Sequence, residues 1–427
     1  MIIGFVFLLV FLFIFFITNE KKEFIASYYL VGIISTMILL NMLGVNTVLF
    51  SRILYTLVLL ILILFIKNNK ISKNIFKLNT FRFLIGFYSL LLVYTIAFSH
   101  LGSIVFFLKT ILIQTIIPIL AILFFITTKR FSIQTLIQWC VYWSFPIGIL
   151  TILKQNISGG MMLDPGLYSS MDIFPIDVAR LLSLCIILGM YLVSKKQNTI
   201  FNSLILLLNF YNLIQTGVRQ GIQFLIISLA LYFLIKMIFF KRYNYFYKSI
   251  LIIITIFSIV NIINVIDRYS AIINVTKFSY SYGVFDDPSN NFRYNMVTPA
   301  INLFKKYPFG IGPDNFSHYS HKVGISNNDL RGNSIHGLLL SILVELGLFG
   351  FIFFCYYYMK MGIINLKLLI KSKTEFNYTL VMVIYTSTLL LIGVKFNTAQ
   401  IVFFCMLFSE LSLYHLRNEK YNYGYTS

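Results

Sequence analysis

The sequence predicts an all-α polytopic membrane protein, with about twelve to fourteen transmembrane helices and a folded, partly helical external loop. Three observations predict it. Of 427 residues, 59% are hydrophobic and only 11% charged; soluble domains carry about 45–50% and about 25%. Thirteen apolar runs each approach the roughly 20 residues a helix needs to cross roughly 30 Å of hydrocarbon. The basic residues, finally, alternate from loop to loop. This composition excludes a soluble enzyme, a disordered chain and a secreted disulfide scaffold. A net charge of +20, from 34 Lys and Arg against 14 Asp and Glu, would suggest nucleic acid in a soluble protein. Here it first raises the question of sidedness.

In chain order the runs lie at 1–18, 25–43, 47–66, 83–99, 104–127, 133–153, 178–194, 199–216, 221–240, 249–266, 335–358, 378–394 and 397–414. The first is read as a retained helix rather than a signal peptide. Met1-Ile2-Ile3-Gly4 has no basic region, and no small-residue cleavage site follows. The loops after every second run hold most of the Lys and Arg: Lys21-Lys22, Lys67 to Arg82, Lys129-Arg130, Lys195-Lys196, Lys241 to Lys248, Lys360 to Lys373, and Arg417 to Lys420. The positive-inside rule makes these loops cytoplasmic. The N-terminus is then outside and the C-terminus inside. All eight aspartates, among them Asp164, Asp267 and Asp314, fall on the other side. Nucleic acid drops out as a partner, since the basic excess is mostly a topology signal.

The whole chain, 1–427, reads as a single membrane domain with a first external loop at 154–177 and a long one at 267–334. A loop of the second length is expected to be folded or functional. Phe292, Met296, Ala300 and Phe304 recur every four residues beside Val297 and Leu303, the pattern of an amphipathic helix. Asn290 or Asn291 caps its start, Lys305-Lys306 complement its C-terminal dipole, and Pro308 stops it. Phe309 to Pro313 is then a turn. The apolar face lies on the membrane surface or docks on the spans, and docking is the expectation. Cys140, Cys185, Cys355 and Cys405 all sit in apolar runs as buried small hydrophobes, with no metal-ligand spacing.

Charges at membrane depth are expensive and mark candidate sites. Arg52, Lys109, Arg180 and Glu345 lie within runs; Arg219 sits in Thr216-Gly217-Val218-Arg219-Gln220-Gly221, between two of them. Arg293 is on the loop helix. Guanidinium groups match phosphate oxygens bidentately, so arginines converging at the outer leaflet fit a diphosphate; singly, each also reads as a snorkelling residue. His336 follows Asn333-Ser334, a helix cap, and a helix N-terminus keeps imidazole neutral and fit to act as a general base. It reads equally as an interfacial structural histidine. Glu345 falls on the opposite helical face and reads as structural. Asp286-Asp287-Pro288 is a solvated turn, and His318 and His321 are surface residues, so no metal is expected.

Three segments together resemble the O-antigen ligase/polymerase superfamily, which joins lipopolysaccharide ligases to Wzy-type O-antigen or capsule polymerases. The first is Thr216 to Gly221, with its arginine. The second runs from Asn291-Phe292-Arg293-Tyr294-Asn295 to Pro308-Phe309-Gly310-Ile311-Gly312 and Asn315. The third is Asn333-Ser334-Ile335-His336-Gly337 with Glu345-Leu346-Gly347-Leu348-Phe349-Gly350. Val218 stands where the family often has Ser, and Gly337 where it usually has Asn. The resemblance implies a GT-C-like glycosyltransferase in the bacterial inner membrane. It implies inverting, metal-independent transfer without a cofactor, from an undecaprenyl-diphosphate-linked oligosaccharide donor at the periplasmic face. Arg219 and Arg293 would bind the diphosphate, with Arg180 a further candidate, and His336 would deprotonate the acceptor hydroxyl. A chain-length regulator protein is a further implied partner. Polymerase and ligase share these motifs; the Ile-, Asn- and Lys-rich sequence favours polymerase. A polyprenyl-glycan flippase would need polar residues along the depth of the bundle, where Lys109 and Glu345 are the clearest deep charges.

Overall fold

A computed structural model describes residues 21–32, 35–36, 38, 78–98, 123, 131–158, 175–215, 219–239, 297, 299–313, 315–316, 319, 338–371, 376–392 and 405–410. These residues form helices and their connections. The expected runs at 1–18, 47–66 and 249–266, with Arg52, Lys109, Arg293 and His336, lie outside the described residues. So do Asp286, Asp287, His318 and His321.

The elements in order are α1 (Lys21–Ser27, continuing as a π turn through Tyr28–Gly32), α2 (Asn79–Phe98), α3 (Ile133–Ser158), α4 (Pro175–Ser194), α5 (Thr199–Gln215), α6 (Arg219–Phe239), α7 (Leu338–Glu345), α8 (Gly347–Lys371) and α9 (Tyr378–Ile392). Three of them, over Asn79–Phe98, Ile133–Ile152 and Gly347–Ile370, are long and apolar enough to cross a membrane, and shorter apolar helices accompany them. The chain is an all-α polytopic membrane protein.

The ends of α4 and α5 fall where the apolar runs predict. Between them, Lys196 and Asn198 take left-handed backbone (φ 56° and 37°) to reverse the chain. The helices stay together through aromatic and polar contacts rather than apolar burial alone, because lipid is as apolar as their side chains. Asn209 Nδ2 donates to Ser144 Oγ at 2.7 Å, joining α5 to α3. On α2, Phe83 stacks on Tyr357 of α8 at 4.1 Å between centroids.

One end of the bundle is basic. Lys195 lies over Tyr191, which packs on Tyr378. Lys236 lies over Tyr232, which packs on Phe376 and accepts the Asn377 amide proton. Here two buried carboxylates satisfy helix N-termini. Glu23 of α1 accepts the Ser132 amide at 2.7 Å, and the Ser132 hydroxyl in turn accepts the Thr135 amide, which caps α3. Glu410 accepts the Asn79 and Thr80 amides and the Thr80 hydroxyl at 3.1–3.2 Å, which caps α2. Tyr357 donates to the same Thr80 hydroxyl, and Lys360 donates to Asn79 Oδ1.

Several boundaries differ from expectation. Helix α3 continues to Ser158 and α4 begins at Pro175, so helix enters both sides of the expected loop at 154–177. Proline suits a first helical position, since it has no amide proton to leave unpaired. The larger difference is at 335–358, expected as one span. It is broken: α7 ends at Glu345 and α8 starts at Gly347, whose φ is +66°. Helix α8 then runs on to Lys371, through lysines assigned to a loop, because Lys is a good helix former and carries its ammonium out along the stem.

The break is filled by the Pro-x-Gly-x-Gly turn. In an unbroken helix the Leu348 amide would donate to the Val344 carbonyl. Instead it donates to the Pro308 carbonyl at 3.0 Å. Val344 O accepts the Ile311 amide at 3.1 Å, and Glu345 O the Gly312 amide at 2.9 Å. Backbone approaches this close leave no room for side chains. A Cβ on Gly310 (φ +94°) would lie 2.6 Å from Glu345 O, and one on Gly347 would lie 2.6 Å from the Gly310 amide nitrogen. The loop helix ahead of the turn docks as expected: Ala300 and Leu303 bury against Val344, Ile311 and Phe316.

Two outcomes follow. Glu410→Ala strands two amides and a hydroxyl in a buried setting and is expected to cost about 1–3 kcal/mol; thermal unfolding of the purified protein in detergent measures it, with Glu410→Gln less damaging. Gly347→Ala combines left-handed strain of about 1–3 kcal/mol with a backbone clash and should abolish monodisperse protein on size-exclusion chromatography.

Candidate functional site

The arginine side of the site is built where α4 meets α6. Ala179, Arg180 and Ser183 share the first turns of α4, and Arg219 is the first residue of α6. Gly221 lets these helices touch: a Cβ there would lie 3.1 Å from Ala179 Cβ and 3.0 Å from Leu213 Cδ1. Ser183 Oγ faces the Ala179 carbonyl at 2.8 Å and the Gly221 carbonyl at 3.2 Å, so one hydroxyl proton serves both helices. The glycine beside Arg219 thus serves the close backbone approach that its place in the motif suggests.

Arg180 is only 4% exposed. Its neighbour Ala179 is the residue that Gly221 touches, while Arg180 itself lies near Tyr385 of α9. The Tyr385 hydroxyl of α9 lies beside both Arg180 and Ser183. A cation this buried needs polar company; Tyr385 supplies some of it, while Ser183 bonds the Ala179 and Gly221 carbonyls. Neither stood out in the sequence. The available signals were weak: a serine in an apolar run, and a tyrosine followed by Thr386 and Ser387.

The second side is the docked loop. The helix carrying Ala300 and Leu303 continues through Tyr307 into the Pro308–Gly312 turn, and Tyr307 N still bonds Leu303 O at 2.8 Å. Arg293 precedes this helix in sequence, and His336 directly precedes the α7 segment. Both lie outside the described residues. Glu345 is 3% exposed at the end of α7, and its carbonyl belongs to the splice with Gly312. Helix α7 packs against α9, which also packs against α4 and α6. The described structure therefore places Arg180 on a helix that packs against α6, and links the helix after His336 to both through α9.

The α4–α6 contact is testable. Gly221→Val must push α6 away from Ala179, at about 1–3 kcal/mol for overpacking, and should depress both thermal stability and transfer. Ser183→Ala loses only a shared hydrogen bond, about 1 kcal/mol, and should leave the thermal midpoint nearly unchanged.

No curated protein matches the chain. Residues 204–355 match the family model described as O-antigen ligase. That stretch starts within α5 and ends within α8, enclosing Arg219, the loop with its turn, and the break at Gly347. Over this segment the chain is similar to O-antigen ligases.

Proposed function

We propose that the protein polymerises undecaprenyl-diphosphate-linked oligosaccharide repeat units into O-antigen or a related surface polysaccharide. The reaction takes place at the periplasmic face of the inner membrane. The N-terminus lies outside and the C-terminus in the cytoplasm. What supports this reading is the match of residues 204–355 to an O-antigen ligase family model, together with a buried arginine, Arg180, on α4, the helix that packs against α6.

Arg219 and Arg293 bind the donor diphosphate, and Arg180 adds a third cation. His336 takes the proton from the acceptor sugar hydroxyl as its oxygen attacks the anomeric carbon. The bond from that carbon to the diphosphate oxygen breaks on the opposite face, which inverts the configuration. The electron pair leaves on the lipid diphosphate, where the guanidinium groups stabilise the charge as it grows. The lipid tail lies between spans. Transfer needs neither metal nor cofactor.

Ligation of the finished glycan to lipid A-core is the second reading. The matching family model is described as O-antigen ligase, and both readings fall within it. Deletion of the gene in its host separates the two: lipopolysaccharide with a single repeat unit marks a lost polymerase, and lipopolysaccharide without any O-unit marks a lost ligase. Within either reading, His336→Ala should lower transfer from lipid-linked donor about 10²–10⁴-fold. Arg219→Ala and Arg293→Ala should each lower it about 10²–10³-fold. Near-normal turnover by any of the three would remove that residue from the site.

A further inference from the structure

The Pro308–Gly312 turn is held from two sides. On one side its backbone replaces the ladder missing between α7 and α8. On the other stands Asn315, only 3% exposed. Its Nδ2 donates to the Phe98 carbonyl at 2.8 Å and to the Ile311 carbonyl at 2.9 Å. Phe98 ends α2, so its carbonyl is one of the terminal acceptors that no amide of its own helix reaches. Ile311 is the residue whose amide feeds Val344 of α7. One side-chain amide therefore joins α2, the turn and α7.

The residue type fits this task. An amide nitrogen carries two protons for two carbonyls; a carboxylate has none to give and a hydroxyl only one. The space is also tailored. A Cβ on Gly312 would lie 2.7 Å from Asn315 Nδ2 and 2.8 Å from Phe98 Cβ. Ring stacking of Phe309 on Phe349, at 6.0 Å, adds a contact between the turn and α8.

The turn lies between two parts of the proposed site. Upstream, without slack, comes the docked helix of the loop that carries Arg293. Across the splice comes α7, the helix that follows His336. We infer that Asn315 is a positioning residue for glycosyl transfer, tying the turn to α2 and α7 and so setting the loop helix against the helix after His336. Asn315 touches no reacting atom. The catalytic half of this inference rests on the function proposed above; the structural half rests on the hydrogen bonds alone.

Asn315→Asp tests it at nearly constant volume by removing both donors, and Gly312→Ala tests it from the opposite side. The full-length protein in nanodiscs is read two ways: hydrogen exchange over 308–313 and 344–350, and steady-state transfer from a polyprenyl-diphosphate-linked oligosaccharide. Exchange in both segments is expected to rise about tenfold or more while α4 and α6 stay protected. The kcat should fall about tenfold to a hundredfold, with KM for the donor held within about twofold. Unchanged exchange overturns the tie. Raised exchange with wild-type kcat per folded molecule overturns the positioning role. A variant that merely folds less, with normal kcat in the folded fraction, overturns it as well. Wild-type protein that transfers nothing overturns the proposed function and with it the positioning role, and exchange then judges the tie alone.

Discussion

The exchange of backbone partners at the break between α7 and α8 is the constraint around which the site is organised. A membrane-spanning helix has no water to turn to when its ladder is interrupted, and each stranded amide or carbonyl costs several kcal/mol. The interruption at Leu346–Gly347 persists because another segment supplies the missing partners. Pro308 gives its carbonyl to Leu348, and Ile311 and Gly312 give their amides to Val344 and Glu345. Proline, with no amide proton, is well suited to the acceptor position. The two glycines permit the approach. A loop some way off in sequence is thereby written into the hydrogen bonding of a span, and its position is set by directional backbone hydrogen bonds as well as by the softer packing of side chains.

This explains why two motifs separated in sequence form one device. The Pro-x-Gly-x-Gly turn and the Glu-x-Gly-x-x-Gly stretch are the two halves of the splice, and Gly310 and Gly347 interlock within it. Glu345 belongs to the device through its carbonyl. Its side chain sits buried at the helix end, in keeping with the structural role expected of it. The docked face of the loop helix, Ala300 and Leu303, then closes over Val344 as a small second core.

Much of this was legible in the sequence, and the failures have physical causes. The ends of α4 and α5 follow from where apolar residues stop, because lipid enforces that match. The amphipathic spacing around Ala300 and the stop at Pro308 gave the loop helix and its docking. The break at Gly347 was hidden, because hydropathy registers side chains while the break is a matter of backbone partners supplied from elsewhere. The reach of α8 to Lys371 was hidden for a related reason: polarity ends a span, but it does not end a helix. Arg180 and Arg219 were each visible as charges near membrane depth. The contact between the helices that carry them was not, since it depends on Gly221 meeting Ala179.

The N-termini of α2 and α3 at the basic end and that of α6 have different company, and this difference bears on the chemistry. At the basic end, α2 and α3 start against the carboxylates of Glu410 and Glu23, so the positive end of each helix dipole meets a negative group. Helix α6 starts with Arg219 and has no acidic residue in its first turn. A second cation, Arg180, is buried on the neighbouring helix. Under the proposed function a diphosphate meets the dipole of α6 and the guanidinium groups together, so that both act on the group that gains charge as the glycosidic bond breaks. The rigid splice nearby then matters for a plain reason: charge stabilisation of this kind falls off quickly with distance, and the helix that follows His336 must be held in register with it.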